Sequence, residues 1–218
     1  MEPVLDLTVA AALFDMDGTL VDSTAVVERI WTDLAVAHGL DAGAVIAHTH
    51  GRQTRDSVAH LLPGADVPAI TAALDAEELE ALEGIVEVPG AADLMAALTG
   101  LPVAVVTSAS RELATRRMRI AGVPVPDVVV AAEDVEAGKP APDGYLAAAR
   151  MLGVPVQHCV VFEDAEAGLR AAVASGASVV VVGRHESATT EGLPRVPDLR
   201  GVRVLPTADG GLRLVQAG

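Results

Sequence analysis

The chain has 218 residues with a formal net charge of −15, and 51% of its residues are apolar. This length predicts one domain of ordinary size, or one domain plus a small insertion, with a sizeable core. The negative charge argues against nonspecific binding to nucleic acid or to an anionic membrane surface. A site for an anionic substrate would therefore need local positive charge, from a metal, a lysine or helix N-termini.

Cysteine content and hydropathy favour a soluble cytoplasmic protein. The single cysteine, Cys159, excludes an internal disulfide framework, and its apolar neighbours predict a buried thiol. No apolar run approaches the roughly 20 residues of a membrane span. Glu2 and Asp6 stand where a secretion signal would carry positive charge. We expect no nucleic-acid or membrane partner, and a monomer or weak homo-oligomer.

The first 89 residues predict one strand followed by a block of helices. Residues 9–14 form a nearly continuous apolar run, which is typical of a buried parallel strand. Between residues 22 and 38 apolar side chains recur at helical spacing, and Gly39 predicts the end of this helix. Residues 40–88 favour two or three more helices. We interpret the helical block 21–89 as a cap inserted after the first strand.

From Pro89 onward the pattern alternates between helices and strands, and such alternation predicts a parallel sheet covered on both faces. Helices are predicted at 91–98, 111–121, 143–152 and 165–175, and strands at 102–106, 127–131, 158–162 and 177–182. The tail favours a hairpin of residues 202–205 and 212–215 around Asp209-Gly210-Gly211. The predicted fold class is α/β, a Rossmann-like parallel sheet core (1–20 and 90–218) with an inserted α-helical cap domain (21–89).

Polar residues follow four of the predicted strands. Because ligands of open parallel sheets bind outside the carboxyl ends of the strands, these residues are expected to share one site. They are Asp15-Met16-Asp17-Gly18-Thr19, Thr107-Ser108, Gly138-Lys139-Pro140 and Glu163-Asp164.

The pair Asp15 and Asp17 suits phosphoryl transfer. A carboxylate such as Asp15 can attack phosphorus if a cation neutralises the repulsion and positions both partners. In a turn permitted by Gly18, Asp17 could protonate the leaving alcohol and later activate water. An isolated Asp-x-Asp-Gly is also typical of a turn or a calcium loop, although no further acids follow at EF-hand spacing.

The remaining strand ends suit a metal and a phosphate group. Asp164 and Glu163, with Asp15 and the Asp17 carbonyl, would supply hard oxygen ligands for Mg²⁺. Asp164 could also cap the following helix, and the two roles are compatible. The hydroxyls of Thr107 and Ser108 suit phosphate oxygens, although Ser108 or Ser110 could equally cap a helix, and Lys139 would supply counter-charge.

In this order, Asp15-Met16-Asp17-Gly18-Thr19-Leu20, Thr107-Ser108, Lys139 and Glu163-Asp164 resemble the motifs of the haloacid dehalogenase-like hydrolase superfamily. The resemblance covers nearly the whole chain, including an α-helical cap after the first motif. It implies that Asp15 is a nucleophile and Asp17 an acid/base. It further implies that Thr107 or Ser108 and Lys139 hold phosphate, and that Asp164 with Glu163 holds Mg²⁺.

Within that superfamily, residues 21–29 and His50-Gly51-Arg52-Gln53 are similar to bacterial hexose and hexitol phosphatases and to yeast 2-deoxyglucose-6-phosphate phosphatases. This implies a phosphatase acting on a small phosphate monoester, a sugar phosphate. The cap could bind sugar hydroxyls through Glu28, Arg52, Gln53 and Arg55, or these residues could be solvated charges and polar groups at helix ends.

Several alternatives stay open at this point. True dehalogenases of the family lack the second aspartate, so Asp17 favours phosphate chemistry. The β-phosphoglucomutases are also similar, but they carry a histidine at the position of Val27. A phospho-accepting signalling module would be shorter and would need no cap. Trp31 lies on the apolar stripe of its helix and is predicted to pack in the core in preference to stacking on a ligand. A solvated helix face, rather than an anion site, is predicted for Arg111, Arg116, Arg117 and Arg119.

Overall fold

The structure, a computed structural model, describes residues 5–208 and 210–216. Glu2 and Asp209, which entered the sequence predictions, lie outside these residues. The strands are β1 (Asp6–Val9), β2 (Ala11–Phe14), β3 (Val21–Asp22), β4 (Val86–Glu87), β5 (Val103–Val106), β6 (Val128–Val130), β7 (Cys159–Glu163), β8 (Ser178–Val182), β9 (Arg195–Val196), β10 (Val202–Pro206) and β11 (Leu212–Gln216). The α-helices are α1 (Thr24–His38), α2 (Ala42–Thr49), α3 (Thr54–Leu61), α4 (Val67–Glu80), α5 (Ala91–Ala97), α6 (Arg111–Ile120), α7 (Asp143–Met151) and α8 (Glu166–Ser175).

Six strands form a parallel sheet in the order β6-β5-β2-β7-β8-β9. The chain begins this sheet at the central strand β2, adds β5 and β6 on one side, and then adds β7, β8 and β9 on the other. The direction of winding therefore reverses between β2 and β7, and a crevice for ligands is expected at the carboxyl ends of these two strands.

Both faces of the sheet are buried. Successive residues of a strand point to opposite faces, so a strand that is buried along its length packs on both sides. In β2, Ala12 and Phe14 belong to one apolar cluster, whereas Ala11 and Leu13 belong to the other. Phe14 stacks on Phe162 of the neighbouring strand, with ring centroids 4.7 Å apart. Alanine and valine dominate the remaining core, so this aromatic pair supplies much of the bulk at the centre of the sheet.

Helices α1 to α4, which we call the four-helix segment, lie between β3 and β4 in the chain. These two short strands pair antiparallel, with Val21 opposite Glu87, so the chain enters and leaves the segment at adjacent points. Trp31 of α1 is buried in the same apolar cluster as Phe14, which confirms the prediction that it packs in the core. The division into core and cap domains stays a prediction.

The structure confirms the predicted α/β fold class with its Rossmann-like parallel sheet. The predicted helix end at Gly39 and the buried thiol of Cys159 are also found. Within the described residues, no helix is both long and apolar enough to cross a lipid bilayer.

Two features of the fold differ from the predictions. The run at residues 9–14 is divided between two sheets, because β1 pairs with β11 of the predicted hairpin and only β2 joins the parallel sheet. The parallel sheet also gains β9, a two-residue strand too short to produce a periodic pattern.

Substitution of Phe162 tests the central packing of the sheet. Phe162→Ala should lower the free energy of unfolding by about 3–5 kcal/mol, because it leaves a cavity beside Phe14. Val173→Ala, at a side chain that is 49% exposed, should change it by less than about 0.5 kcal/mol. Urea unfolding followed by circular dichroism measures both, and equal effects would contradict the assigned packing.

Candidate active site

The loop after β2 places Asp15 and Asp17 at the crevice. The Asp15 backbone N–H donates to the Phe162 carbonyl, 3.0 Å away, and so extends the pairing of the two central strands. Gly18 then turns the chain with φ +90°, and a Cβ atom there would lie 2.1 Å from Oδ2 of Asp164. Only glycine satisfies both conditions, so the loop can approach the end of β7 closely.

Lys139 joins the ends of the two central strands. Its Nζ donates to Oδ1 of Asp15 and to Oε1 of Glu163, the latter at 2.7 Å. The Tyr145 hydroxyl donates to the same Glu163 oxygen at 3.2 Å. The other Glu163 oxygen accepts the backbone N–H groups of the next two residues, at 2.8 and 2.9 Å. Four donors therefore hold the Glu163 carboxylate in a single orientation.

Burial controls the ionisation of this cluster. It raises the pKa of Asp15 to about 8, although the charge of Lys139 opposes the rise. Burial works against the charged form of Lys139 too, but Asp15 and Glu163 outweigh it and hold the pKa of Lys139 well above its ordinary value. The lysine therefore remains a fixed positive charge in a strongly acidic chain.

Three acids form a candidate metal site. Asp15, Glu163 and Asp164 can each offer a carboxylate oxygen within 4.8 Å of the others. Burial, followed by the charge of Glu163, raises the pKa of Asp164 well above its ordinary value. A set of oxygen donors with crowded negative charge fits Mg²⁺, which prefers such ligands and would relieve the repulsion.

The alternative role of Asp164 as a helix cap is wrong. Helix α8 begins at Glu166, and its N-cap residue is Ala165. The Asp164 carboxylate instead accepts a hydrogen bond from the Thr19 hydroxyl, at 2.9 Å. The carboxylate of Glu163 takes up the backbone N–H groups that precede the helix.

A cleft opens between this cluster and the four-helix segment. Asp15, Asp17, Thr107, Ser108 and Arg52 all line it, so the structure brings together five of the residues singled out from the sequence. The Thr107 hydroxyl oxygen accepts a backbone N–H at 3.1 Å, and the Ser108 hydroxyl donates to a backbone carbonyl of the α2–α3 loop at 2.9 Å.

Gln53 and Glu28 do not line this cleft. Gln53 is buried beside the cleft, and its Nε2 donates to the Ala132 carbonyl at 3.2 Å, which ties the segment to the loop after β6. Glu28 is half-exposed, with its carboxylate 3.7 Å from Nε2 of His50. His50, rather than Glu28, lines the cleft.

The prediction that Arg117 belongs to a solvated helix face is wrong. Arg111, Arg116 and Arg119 are exposed as expected, but Arg117 is only 1% exposed. Its guanidinium donates to Asp17 at 3.0 Å and to Glu78 of α4 at 2.8 Å. A signal was present in the sequence, since Arg117 follows the buried Leu113 by four residues and therefore lies on the apolar stripe of α6.

Comparison with known proteins shows what this chain is similar to. A family model described as haloacid dehalogenase-like hydrolase matches residues 9–176. Hexitol phosphatase A of Escherichia coli (strain K12) is 46% identical over 175 residues, which cover 78% of this chain and 81% of that protein. The 2-deoxyglucose-6-phosphate phosphatase 1 of Saccharomyces cerevisiae is 34% identical over 190 residues, covering 77% of each chain. Among solved structures, CbbY from Rhodobacter sphaeroides in complex with phosphate has a TM-score of 0.74 at 28% identity, covering 88% of this chain and 95% of that one.

Gly168 of α8 tests the placement of Glu163. A Cβ atom at Gly168 would lie 1.5 Å from Oε1 of Glu163, so Gly168→Ala should lower the free energy of unfolding by about 1–3 kcal/mol. Gly43→Ala in α2 has room, with its nearest neighbour at 3.4 Å, and should raise stability by about 0.4–1 kcal/mol. Urea unfolding of both variants measures the contrast, and stabilisation by both would show that Glu163 lies elsewhere.

Proposed function

The chain belongs to the haloacid dehalogenase-like hydrolases, and we propose that it hydrolyses a small phosphate monoester, a sugar or sugar-alcohol phosphate, through a phospho-enzyme formed on Asp15. The observation that carries the proposal is the position of Asp15. Its buried carboxylate contacts Lys139, shares a candidate metal site with Asp164, and lines the same cleft as Asp17. The names of the similar phosphatases support a sugar-type substrate.

We propose that Asp15, Asp164 and the Asp17 carbonyl hold Mg²⁺. Glu163 is close enough to contribute an oxygen, but its two oxygens already accept four hydrogen bonds, so we assign it mainly to fixing Lys139 and the loop. When bound, Mg²⁺ would offset the negative charge shared by the phosphoryl group and the acids, and would help to orient them.

In the first step, the Asp15 carboxylate attacks phosphorus while the bond from phosphorus to the leaving oxygen breaks. Asp17 gives its proton to that oxygen, so the leaving group departs as an alcohol. In the second step, Asp17 takes a proton from a water molecule that attacks the aspartyl-phosphate, and phosphate leaves with Asp15 restored. Lys139 and the hydroxyls of Thr107 and Ser108 are assigned to the phosphoryl oxygens.

We further propose that residues 21–89 act as a cap on a core of residues 1–20 and 90–218. A cap that closes over the leaving group excludes water and can select the substrate. Support comes from the cleft, which both parts line, and from Val27, which lines it where similar mutases carry histidine. An apolar Val27 cannot relay a proton, and this favours the phosphatase over a phosphomutase.

Phosphate release from a panel of metabolites tests the proposed reaction. The panel spans hexose, pentose and hexitol phosphates, glycerol phosphate, phosphoglycolate and a nucleotide, each with Mg²⁺ and with EDTA. We expect release that requires Mg²⁺ and favours the sugar and sugar-alcohol phosphates, and that falls by at least about 10³-fold in Asp15→Asn. Isomerised sugar without phosphate release would support a mutase instead, and a long-lived phospho-Asp15 would support a signalling module.

Arg52 tests the assignment of the cleft to the substrate's leaving group. Arg52→Ala should lower kcat/KM for the preferred sugar phosphate by about tenfold or more, since it removes charged hydrogen bonds to the sugar hydroxyls. Hydrolysis of 4-nitrophenyl phosphate, which lacks those hydroxyls, should change little. Equal losses on the two substrates would contradict a role of Arg52 in specificity.

A further inference from the structure

A chain of buried charges connects the four-helix segment with Asp17. Arg117 of α6 donates through one terminal nitrogen to Oδ1 of Asp17 at 3.0 Å, and through the other to Oε2 of Glu78 at 2.8 Å. The exposed fractions of the Arg117 and Glu78 side chains are only 2% and 8%. Ser23, at the start of α1, donates its hydroxyl to the same Asp17 oxygen at 2.6 Å.

Arg117 and Ser23 donate to the same oxygen of Asp17, Oδ1. Together they fix the rotation of the carboxylate about its last bond, since Arg117 and Ser23 approach from different elements. Within the described part of the chain, no side chain donates to the other oxygen of Asp17. That oxygen belongs to a side chain that is 29% exposed in the cleft, so it is the one available to a leaving group.

Such an arrangement is not by itself evidence of a gain in stability. A buried ion pair seldom stabilises a fold more than apolar side chains of similar volume would, because both charges must be desolvated. The cost is visible at Glu78, where burial raises the pKa to about 7 although Arg117 opposes the rise. Arg117 remains charged, because Asp17 and Glu78 outweigh its burial and raise its pKa.

We propose that Arg117 is a positioning residue, which orients Asp17 as the acid/base and is itself oriented by Glu78. The inference rests on the proposed function of Asp17. In this arrangement the four-helix segment lines the cleft and also contacts Asp17 indirectly, because Glu78 of α4 binds Arg117. Displacement of α4 would remove one of the two carboxylates that hold Arg117 in place.

The leaving group of the substrate separates this role from a structural one. Release of an alkoxide needs a proton from Asp17, whereas 4-nitrophenolate leaves readily without one. Arg117→Met should therefore lower kcat/KM for an alkyl ester, glycerol phosphate or the preferred sugar phosphate, by about 10–100-fold. The same variant should lower kcat/KM for 4-nitrophenyl phosphate by less than about threefold. The ratio kcat/KM reports the phosphoryl-transfer step, in which the acid acts.

Two further variants complete the experiment. Arg117→Met alone leaves Glu78 buried without its partner, so the double variant Glu78→Gln/Arg117→Met removes both charges and should show the same selective loss in a folded protein. Arg119→Met makes the same substitution two residues along α6 at an exposed position, and should leave both substrates unaffected.

Equal losses on the alkyl and aryl esters, or no loss on either, would overturn the positioning role. If the wild-type protein hydrolyses neither ester with Mg²⁺, the proposed function fails. Crystal structures of the wild type and of Arg117→Met then test whether Arg117 orients the Asp17 carboxylate. We then expect the Asp17 carboxylate to be rotated or present in two conformers in Arg117→Met but fixed in the wild type. An unchanged Asp17 in Arg117→Met would contradict the inference.

Discussion

The ammonium group of Lys139 is the contact on which the rest of the site depends. Without it, Asp15 and Glu163 would place two buried carboxylates together at the ends of adjacent strands. Burial of one isolated carboxylate is costly, and two that repel each other would favour protonation or a different loop structure. A lysine shared by both acids allows β2 and β7 to end with charged groups that face each other. In an acidic protein it also creates the local positive charge that an anionic substrate needs.

Rigidity around this lysine comes from backbone geometry. The close approaches at Gly18 and Gly168 allow Asp164 and Glu163 to occupy space that any side chain would fill. Glu163 then uses both oxygens to hold Lys139, Tyr145 and the start of the next loop. A site built in this way can orient its groups before a substrate arrives, which is the main requirement for phosphoryl transfer.

Polar contacts join the four-helix segment to the sheet edge beside the cleft, in addition to the apolar cluster that Trp31 shares with Phe14. Hydrogen bonds from Ser108 to Gly51 and from Gln53 to Ala132 join the two parts beside the cleft, and the pair of Arg117 and Glu78 joins them at greater depth. Hydrogen bonds with water can replace polar contacts of this kind, so this part of the boundary can open at a lower cost than the shared apolar cluster can. The deeper charged pair would give such motion a direct effect on Asp17.

The sequence by itself determined the fold class, the strand ends that carry chemistry, and the family. These features depend on local patterns: apolar runs of strand length, helical periodicity, and short motifs in a fixed order. The candidate metal ligands and Lys139 could be identified together because the carboxyl ends of parallel strands always meet at one edge.

Only the tertiary structure decided which partners those groups have. Asp17 and Arg117 are 100 positions apart, and Arg117 and Glu78 are 39 apart, so no local pattern relates them. An arginine on a helix is usually solvated, and its burial becomes favourable only when two carboxylates from distant elements arrive beside it. The pairing of β1 with β11, the turn of Gln53 away from the cleft and the displacement of Asp164 from the helix cap have the same origin. Each results from a contact between segments that are remote in sequence. The energy of that contact outweighs the structure that the local sequence favours.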